Sequence, residues 1–162
     1  MKTYYMSRNG YEKFLKKIQE IAVAIQTKIK EMGNSASRDN DLRENPEFMQ
    51  LRTEVTYTLP KKMNEMVAIL KSCQIIEEMS NFANSSFDKV QLGAEVTVQY
   101  DNGNIITFLI LGYDESDAEK NIISYLSPIA QSLLGKMVDE EVKLEINKKT
   151  TRLKILNIQK GI

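Results

Sequence analysis

The chain has 162 residues, of which 42% are hydrophobic and 27% are charged, a composition that fits one or two small globular domains. Its 22 Lys and Arg residues balance 22 Asp and Glu residues, so no net charge draws the chain to bare DNA, bare RNA or acidic membranes. It has no histidine and a single cysteine, which excludes His-ligated zinc, Ser-His-Asp triads and an internal disulfide. With no apolar run long enough for a membrane span or a signal peptide, we expect a cytoplasmic protein.

The N-terminal half has the apolar periodicity of helices. Apolar residues recur every three or four positions in two series: Phe14, Ile18, Ile21, Ile25, Ile29 and Met32, then Phe48, Leu51, Val55, Leu59, Met63, Met66 and Leu70. Ser7 can cap a first helix over residues 7–38, which would be about 48 Å long. Asn45 and Pro46 suit the N-cap and first position of a second helix. The pattern predicts an antiparallel coiled-coil helical hairpin, too thin to enclose a substrate pocket.

The apolar period changes to two after a polar linker at residues 81–86. Alternating residues predict antiparallel strands, and the sequence DNGN at residues 101–104 predicts a turn between the first two. The predicted elements are strands at 95–100, 105–111, 124–127, 141–146 and 152–158 and a short helix at 128–134. The sequence thus predicts an α+β protein, with a hairpin over residues 1–80 and an antiparallel β-sheet domain with one short helix over 81–162.

Acidic residues cluster at the predicted tip of the hairpin. Asp41 and Glu44 are three positions apart, so a helical or turn-like backbone places both carboxylates on one side. Two carboxylates without His or Cys form a hard-oxygen site suited to Mg²⁺ or Mn²⁺, but a pair is too few to bind the metal tightly alone. The spacing alone leaves open an ordinary acidic loop before a helix N-terminus. An EF-hand is excluded because Arg43 and Glu44 occupy its fifth and sixth positions.

Two long motifs resemble those of one family. The sequence NDLRENPEF at residues 40–48 resembles GDL[KR/S]ENAEY, the tip motif of the bacterial GreA/GreB transcript-cleavage factors. The sequence ISYLSPIAQSLLGK at residues 123–136 resembles the family's ISxxSPIAxxL[IL]GK. Shorter similarities are GAEVTV at residues 93–98 and YDESD at residues 113–117. The resemblance spans nearly the whole chain, with both halves in the same order.

The resemblance implies a fold, a partner and a mode of action. In the family, the hairpin enters the secondary channel of bacterial RNA polymerase when the enzyme has backtracked and extruded the RNA 3′ end. An FKBP-like C-terminal domain docks on the rim of the channel. Asp41 and Glu44 match the acidic pair that helps to hold a second Mg²⁺ and a water at the polymerase's own active centre. Residues expected to contact RNA or polymerase are Arg43, Arg52, Ser127, Pro128 and Ile129.

The expected function is stimulation of RNA cleavage by backtracked polymerase, with the chain not an enzyme by itself. The expected partners are bacterial RNA polymerase and, through it, the nascent RNA 3′ end, with no membrane partner and a monomeric chain. No tightly bound cofactor is expected, only Mg²⁺ shared with the polymerase. The alternative is a Gre-fold channel regulator or inhibitor that does not stimulate cleavage. A prolyl isomerase with a helical appendage and a bare coiled-coil adaptor are further alternatives.

Several residues depart from the family pattern. Asn40, Pro46 and Phe48 replace Gly, Ala and Tyr, and Ser37 replaces an Arg. The sequence GNSAS at residues 33–37 is a weak helix former. Pro60 within the second helix removes a hydrogen bond to the Thr56 carbonyl and clashes with it, at a cost of about 3 kcal/mol in a regular helix. We therefore predict a kinked or locally irregular hairpin.

Overall fold

A computed structural model describes residues 2–38, 42, 44–146 and 149–162. The chain forms two compact units, Glu12–Ser72 and a second unit made of Met1–Tyr11 together with Cys73–Ile162. The predicted boundary at residue 80 differs from this division, because a short N-terminal strand pairs with the segment that begins at Cys73. None of the described helices is both long and apolar enough to span a membrane.

The unit Glu12–Ser72 is a hairpin of two helical arms. The first arm is formed by helix α1 (Arg8–Arg38), which begins in the other unit. The second arm consists of α2 (Pro46–Thr53), a π-helical segment (Glu54–Thr58) and α3 (Leu59–Lys71). The arms are antiparallel: side chains at positions 28 and 35 of α1 contact positions 54 and 47 of the second arm, respectively. The two predicted helical arms are confirmed, and so is the predicted start of the second arm at Asn45.

The second unit begins with a small parallel pair of strands. Strand β1 (Tyr4–Met6) pairs with β2 (Cys73–Ile75), and a 3-10 turn (Ile76–Glu78) and α4 (Ser80–Ala83) follow. Cys73, the single cysteine, lies in β2 and not in the preceding helix, because α3 ends at Lys71 and the chain becomes extended to pair with β1.

A five-stranded sheet forms the rest of this unit. The strands are β3 (Ala94–Tyr100), β4 (Ile105–Leu111), β5 (Ile122–Ser124), β6 (Glu141–Ile146) and β7 (Lys149–Lys160), in the spatial order β5-β4-β3-β7-β6. Helix α5 (Pro128–Leu133) lies between β5 and β6 in sequence. The α+β class is confirmed, but the sheet is mixed rather than purely antiparallel. The connection over residues 112–121 returns the chain before β5 begins, so β5 runs parallel to β4.

The apolar core of this unit lies on one side of the sheet and beneath α5. Val96, Val98, Ile110, Leu153 and Ile155 are fully buried on the strands. They alternate with more exposed neighbours, as expected for strands with one covered face. Ala130 and Leu133 of α5 belong to the same apolar cluster. The position of α5 over this core therefore fixes the place of its N-cap Ser127 and of its first residues Pro128 and Ile129, which together we call the SPI segment.

Candidate functional site

The second arm of the hairpin starts from a well-defined N-cap. Asn45 has an extended backbone (φ −89°, ψ 100°), and its Oδ1 accepts a hydrogen bond of 3.0 Å from the Phe48 amide. Pro46 occupies the first helical position, where a missing N–H costs nothing. This cap fixes the direction in which the chain leaves the tip and enters α2.

Three polar side chains join the two arms directly behind the tip. Asn45 Nδ2 donates to Ser35 Oγ at 3.1 Å and to the Ser35 carbonyl at 3.3 Å. Ser35 Oγ in turn donates to Glu47 Oε2 at 3.0 Å. Ser35 is 1% exposed and Asn45 8% exposed, so the hydrogen bonds between these two residues form away from water, where leaving a donor unpaired would be costly, while Glu47 is exposed. We call Ser35, Asn45 and Glu47 the tip clamp.

The tip clamp explains one of the weak helix formers near the end of α1, Ser35. Gly33, Ser35 and Ala36 have small side chains or none, and α1 nevertheless continues without interruption through them to Arg38. Ser35 is almost completely buried, so a larger side chain there would push the arms apart. The close approach of the arms therefore accounts for the small residue at Ser35, whereas a Cβ at the exposed Gly33 would meet no neighbour.

The predicted acidic pair is only partly within the described residues. Asp41 and Arg43 lie outside them. Glu44 is exposed in a turn and is adjacent in sequence to the clamp residue Asn45. Glu47, a further acidic residue of the tip, is engaged by Ser35. Within the described part of the chain, no group of three or more His, Cys, Asp or Glu residues could hold a metal ion.

An irregular segment of the second arm lies just before Pro60, as predicted. The Leu59 amide donates to the Glu54 carbonyl five residues earlier, which is a π-helical hydrogen bond. Pro60 has no amide for the Thr56 carbonyl, so the wider turn lets the helix continue without the clash that a regular α-helix would produce. The predicted irregularity is confirmed, and it lies in the second arm while α1 remains regular.

An ion pair joins the arms at this π-helical segment. Lys28 Nζ lies 2.6 Å from Glu54 Oε2, and Gln50 Nε2 donates to Glu54 Oε1 at 3.1 Å. The hydrogen bond from Lys28 lowers the pKa of the Glu54 carboxyl, and the same contact raises the pKa of Lys28. Arg52, the predicted RNA contact, is exposed in the last turn of α2, next to this segment.

The predicted contact loop in the sheet unit surrounds the start of α5. Ser127 is the N-cap, and its Oγ accepts a hydrogen bond of 3.2 Å from the Ala130 amide. Pro128 is exposed at the first helical position, while Ile129 is partly buried against the core. The neighbouring Leu126 is 41% exposed. The three predicted residues therefore lie together, on a rigid helix start that presents apolar surface.

Glu115 is a structural residue whose role the sequence reasoning missed. Its carboxylate accepts hydrogen bonds from the Ser7 amide at 2.8 Å, from the Ser7 hydroxyl and from the Gly112 amide at 3.0 Å. Ser7 also caps α1 by accepting from the Gly10 amide at 3.0 Å. A Cβ at Gly10 or Gly112 would collide with Glu115. The only signal in the sequence was that Glu115 lies in the family-like stretch YDESD.

Comparison with known proteins gives relatives along the whole chain. A family model described as "Transcription elongation factor, GreA/GreB, C-term" matches residues 84–160. Transcription elongation factor GreA of Roseiflexus castenholzii is 31% identical over 159 residues, covering 98% of each chain. The protein of the same name from Staphylococcus saprophyticus is 32% identical over 160 residues, again covering 98% of each chain. A solved structure of the transcription factor Gfh1 is 19% identical and covers 97% of each chain, with a TM-score of 0.44.

Sequence similarity to proteins named as transcription elongation factors thus extends over almost the full length of the chain. The two named relatives exceed 30% identity over almost all of both chains. The chain belongs to the GreA/GreB family of transcription elongation factors, which confirms the resemblance found in the tip and SPI motifs.

Proposed function

We propose that the hairpin enters the secondary channel of RNA polymerase and that its tip stimulates cleavage of backtracked RNA. The observation that carries this proposal is the tip clamp. Asn45 caps α2 and also binds Ser35 of the opposite arm, so the backbone directly after Glu44 is held by both helices. A clamped backbone keeps a carboxylate at the end of a rod in a defined direction, which is what positioning at a distant active centre requires.

Asp41 and Glu44 are the residues that would hold Mg²⁺ in the complex with polymerase. Their carboxylate oxygens are the ligands that Mg²⁺ prefers, and Glu44 is exposed at the tip. Two carboxylates do not complete the coordination shell of Mg²⁺, so the remaining ligands would come from the polymerase, the RNA and water. When bound there, Mg²⁺ would supply charge stabilisation to the hydrolysis of the phosphodiester. The hydrolytic active centre is then the polymerase's own.

The SPI segment is proposed as the docking site on the rim of the channel. Pro128 is exposed at the first position of α5, and Leu126 just before it is 41% exposed, which gives an apolar surface. Ser127 and the packing of Ala130 hold this surface in one conformation. A rigid apolar surface loses little conformational entropy on binding, which favours docking onto a protein. Arg43 and Arg52 are proposed to contact RNA phosphates or polymerase near the tip.

The proposal is tested by RNA 3′-end cleavage in a backtracked complex of the cognate polymerase. Wild-type protein should accelerate cleavage, and Asp41→Asn and Glu44→Gln should each abolish the acceleration while polymerase binding persists. Glu65→Gln, which removes an exposed negative charge on α3, is the matched control and should accelerate cleavage as much as wild type does. Pro128→Ala and Ile129→Ala should weaken polymerase binding without altering cleavage at saturating protein. Binding that slows cleavage instead would contradict the proposal and support the channel-inhibitor alternative.

A further inference from the structure

The apolar stripe of α1 is wider than the second arm of the hairpin covers. Lys28 and Ser35 are seven residues apart, and both contact the second arm. Leu15, Ala22 and Ile29 are also seven residues apart and lie one position further along the chain than the covered positions 14, 21 and 28. Leu15 and Ile29 are each 40% exposed, and Ala22 is exposed as well. Because seven residues are almost two turns of an α-helix, these three side chains form an uncovered stripe beside the covered one.

Larger apolar side chains lie between the covered and the uncovered stripe. Ile18, Ile25 and Met32 are partly buried. With them, the apolar positions are 15, 18, 22, 25, 29 and 32, and their alternating steps of three and four are those of a coiled-coil seam. We call these six residues the outer seam. A helix that is apolar over two adjacent seams is typical of a bundle in which the helix has two neighbours, and the hairpin supplies one.

The outer seam is complementary to a second copy of itself in the antiparallel direction. A two-fold axis that passes between Val23 and Ala24 places each seam residue opposite another seam residue. The facing pairs are Leu15 with Met32, Ile18 with Ile29 and Ala22 with Ile25 of the second copy. Ala22 is the one small residue of the seam, and it lies near the axis, where it lets the two helices approach closely.

The distribution of charge favours a second copy in this direction. Residues 21–27, which surround the axis, carry no charge, so the centre of the contact has no charge to desolvate. Gln19 and Gln26 flank the seam, where charged residues usually select the partner of a coiled coil. Residues 12–17 hold three lysines and one glutamate, and they would lie near residues 30–35 of the second copy, whose one lysine and one glutamate offset each other. A parallel pair would instead bring the lysines together.

We propose that the chain forms an antiparallel dimer in which the outer seam of each α1 packs against the outer seam of the other copy. The contact from Leu15 to Met32 is about 26 Å long. One pair of helices of this length makes a small interface, so the dimer forms in a concentration-dependent equilibrium. The monomer expected from the sequence is its dissociated form. The inference goes beyond the proposed role in RNA cleavage and does not rest on it, because polymerase takes no part in the dimer.

Sedimentation equilibrium of the full chain tests the proposal directly. Concentrations between about 1 μM and 1 mM cover the range in which weak interfaces associate. The mean mass should rise with concentration from that of one chain, 18.6 kDa, towards twice that value. A mass that stays at one chain up to the highest concentration would overturn the proposal.

Two glutamate substitutions on α1 form a matched pair. Ala22→Glu places a carboxylate near the axis in each copy and should raise the Kd of the dimer at least about 100-fold, because both carboxylates would lose water. Ala22 is exposed in the single chain and glutamate is a good helix former, so the helical circular dichroism should persist. Thr27→Glu adds the same charge at an exposed position on the far side of α1 and should dimerise like wild type. Equal Kd values for the two variants would contradict the proposal.

Disulfide cross-linking tests the direction and the register of the pair. Leu15→Cys and Met32→Cys are made in separate chains in which Cys73→Ser removes the single native cysteine. The antiparallel register brings positions 15 and 32 of different copies together, so oxidation should link the two variants when they are mixed and neither variant when it is alone. A link within one variant alone, or no link in a mixture that has the mass of a dimer, would show that the helices do not pair in this way.

Discussion

The two units of the chain are stabilised by different means. In the sheet unit, sixteen buried residues form one apolar cluster, and four of the five strands contribute to it. In the hairpin, the described residues that are buried are few, and polar ones, Ser35 and Asn45, are among them. The contacts identified between its arms are the tip clamp and the Lys28–Glu54 pair. The comparison teaches that the sheet unit gains stability from one large apolar core, whereas the hairpin buries fewer apolar side chains, such as Phe14 and Leu51, and adds directional polar contacts between its arms.

The largest difference in unfolding free energy between the two units should come from replacing one isoleucine by alanine in each unit. Ile155→Ala removes a fully buried side chain from the sheet core and should lower the free energy of unfolding by about 2–5 kcal/mol. Ile29→Ala affects a side chain that is 40% exposed on α1 and should cost less than about 1 kcal/mol. Urea unfolding followed by circular dichroism measures both. Similar losses for the two variants would contradict the proposed contrast.

A smaller loss is expected at Glu115, which ties the start of α1 to the connection after β4. Glu115→Gln keeps the shape but removes the charge that accepts from Ser7 and Gly112, so unfolding should become easier by about 1.5–3 kcal/mol. Glu119→Gln, which removes an exposed negative charge four residues later, should leave the free energy of unfolding unchanged. Amide exchange at Ser7 and Gly112 reports the local effect. Protection that is unchanged in Glu115→Gln would show that the carboxylate does not hold these amides.

The sequence predicts local structure well where the signal is local. The start of α2 follows from Asn45 and Pro46, since capping depends on residues three positions apart. The strands Ala94–Tyr100 and Ile105–Leu111 follow from their alternation and from the turn between them. Pro60 predicts an irregular helix, because a missing amide affects only the preceding turn.

Contacts between distant residues could not be predicted in this way. Ser35 meets Glu47 only because the arms pair in one register, which the spacing of apolar residues does not define to within a residue. Glu115 binds Ser7 across 108 positions of sequence. Cys73 follows a long helical pattern, and only its pairing with Tyr4 makes it part of a strand. At the candidate site, Glu44 was predicted from a motif, whereas the tip clamp behind it required the packed structure.

The tip clamp itself should respond to substitutions of Asn45. Asn45→Ala removes both the cap and the contact with Ser35 and should cost about 1–2 kcal/mol of unfolding free energy. Asn45→Ser is the matched control, because serine still caps α2 but has no amide to reach Ser35. If the clamp positions Glu44, both variants should lose cleavage stimulation in the backtracked-polymerase assay. Only Asn45→Ala should also lose the unfolding free energy that the N-cap contributes. Full activity in Asn45→Ser would show that the cap alone suffices.

The smallest effect is expected at the Lys28–Glu54 pair, which is partly exposed and therefore screened by salt. The pKa of Glu54 is lower in the folded chain than its ordinary value of 4.5, so the pair's contribution is complete above pH 4.5 and is lost as the pH falls through the lowered value. The raised pKa of Lys28 sets the limit at high pH. The contribution of Lys28 is complete below pH 10.5 and is lost as the pH rises through its pKa in the folded chain.

A double-mutant cycle with Lys28→Met and Glu54→Gln, measured at neutral pH and again well below pH 4.5, isolates this pair from the rest of the hairpin. The coupling should be favourable at neutral pH, should weaken with added salt and should vanish in acid. Coupling that persisted in acid would mean that the arms are held at this level by packing around the π-helical segment, and the hairpin would then resemble the sheet unit more closely than its polar contacts indicate.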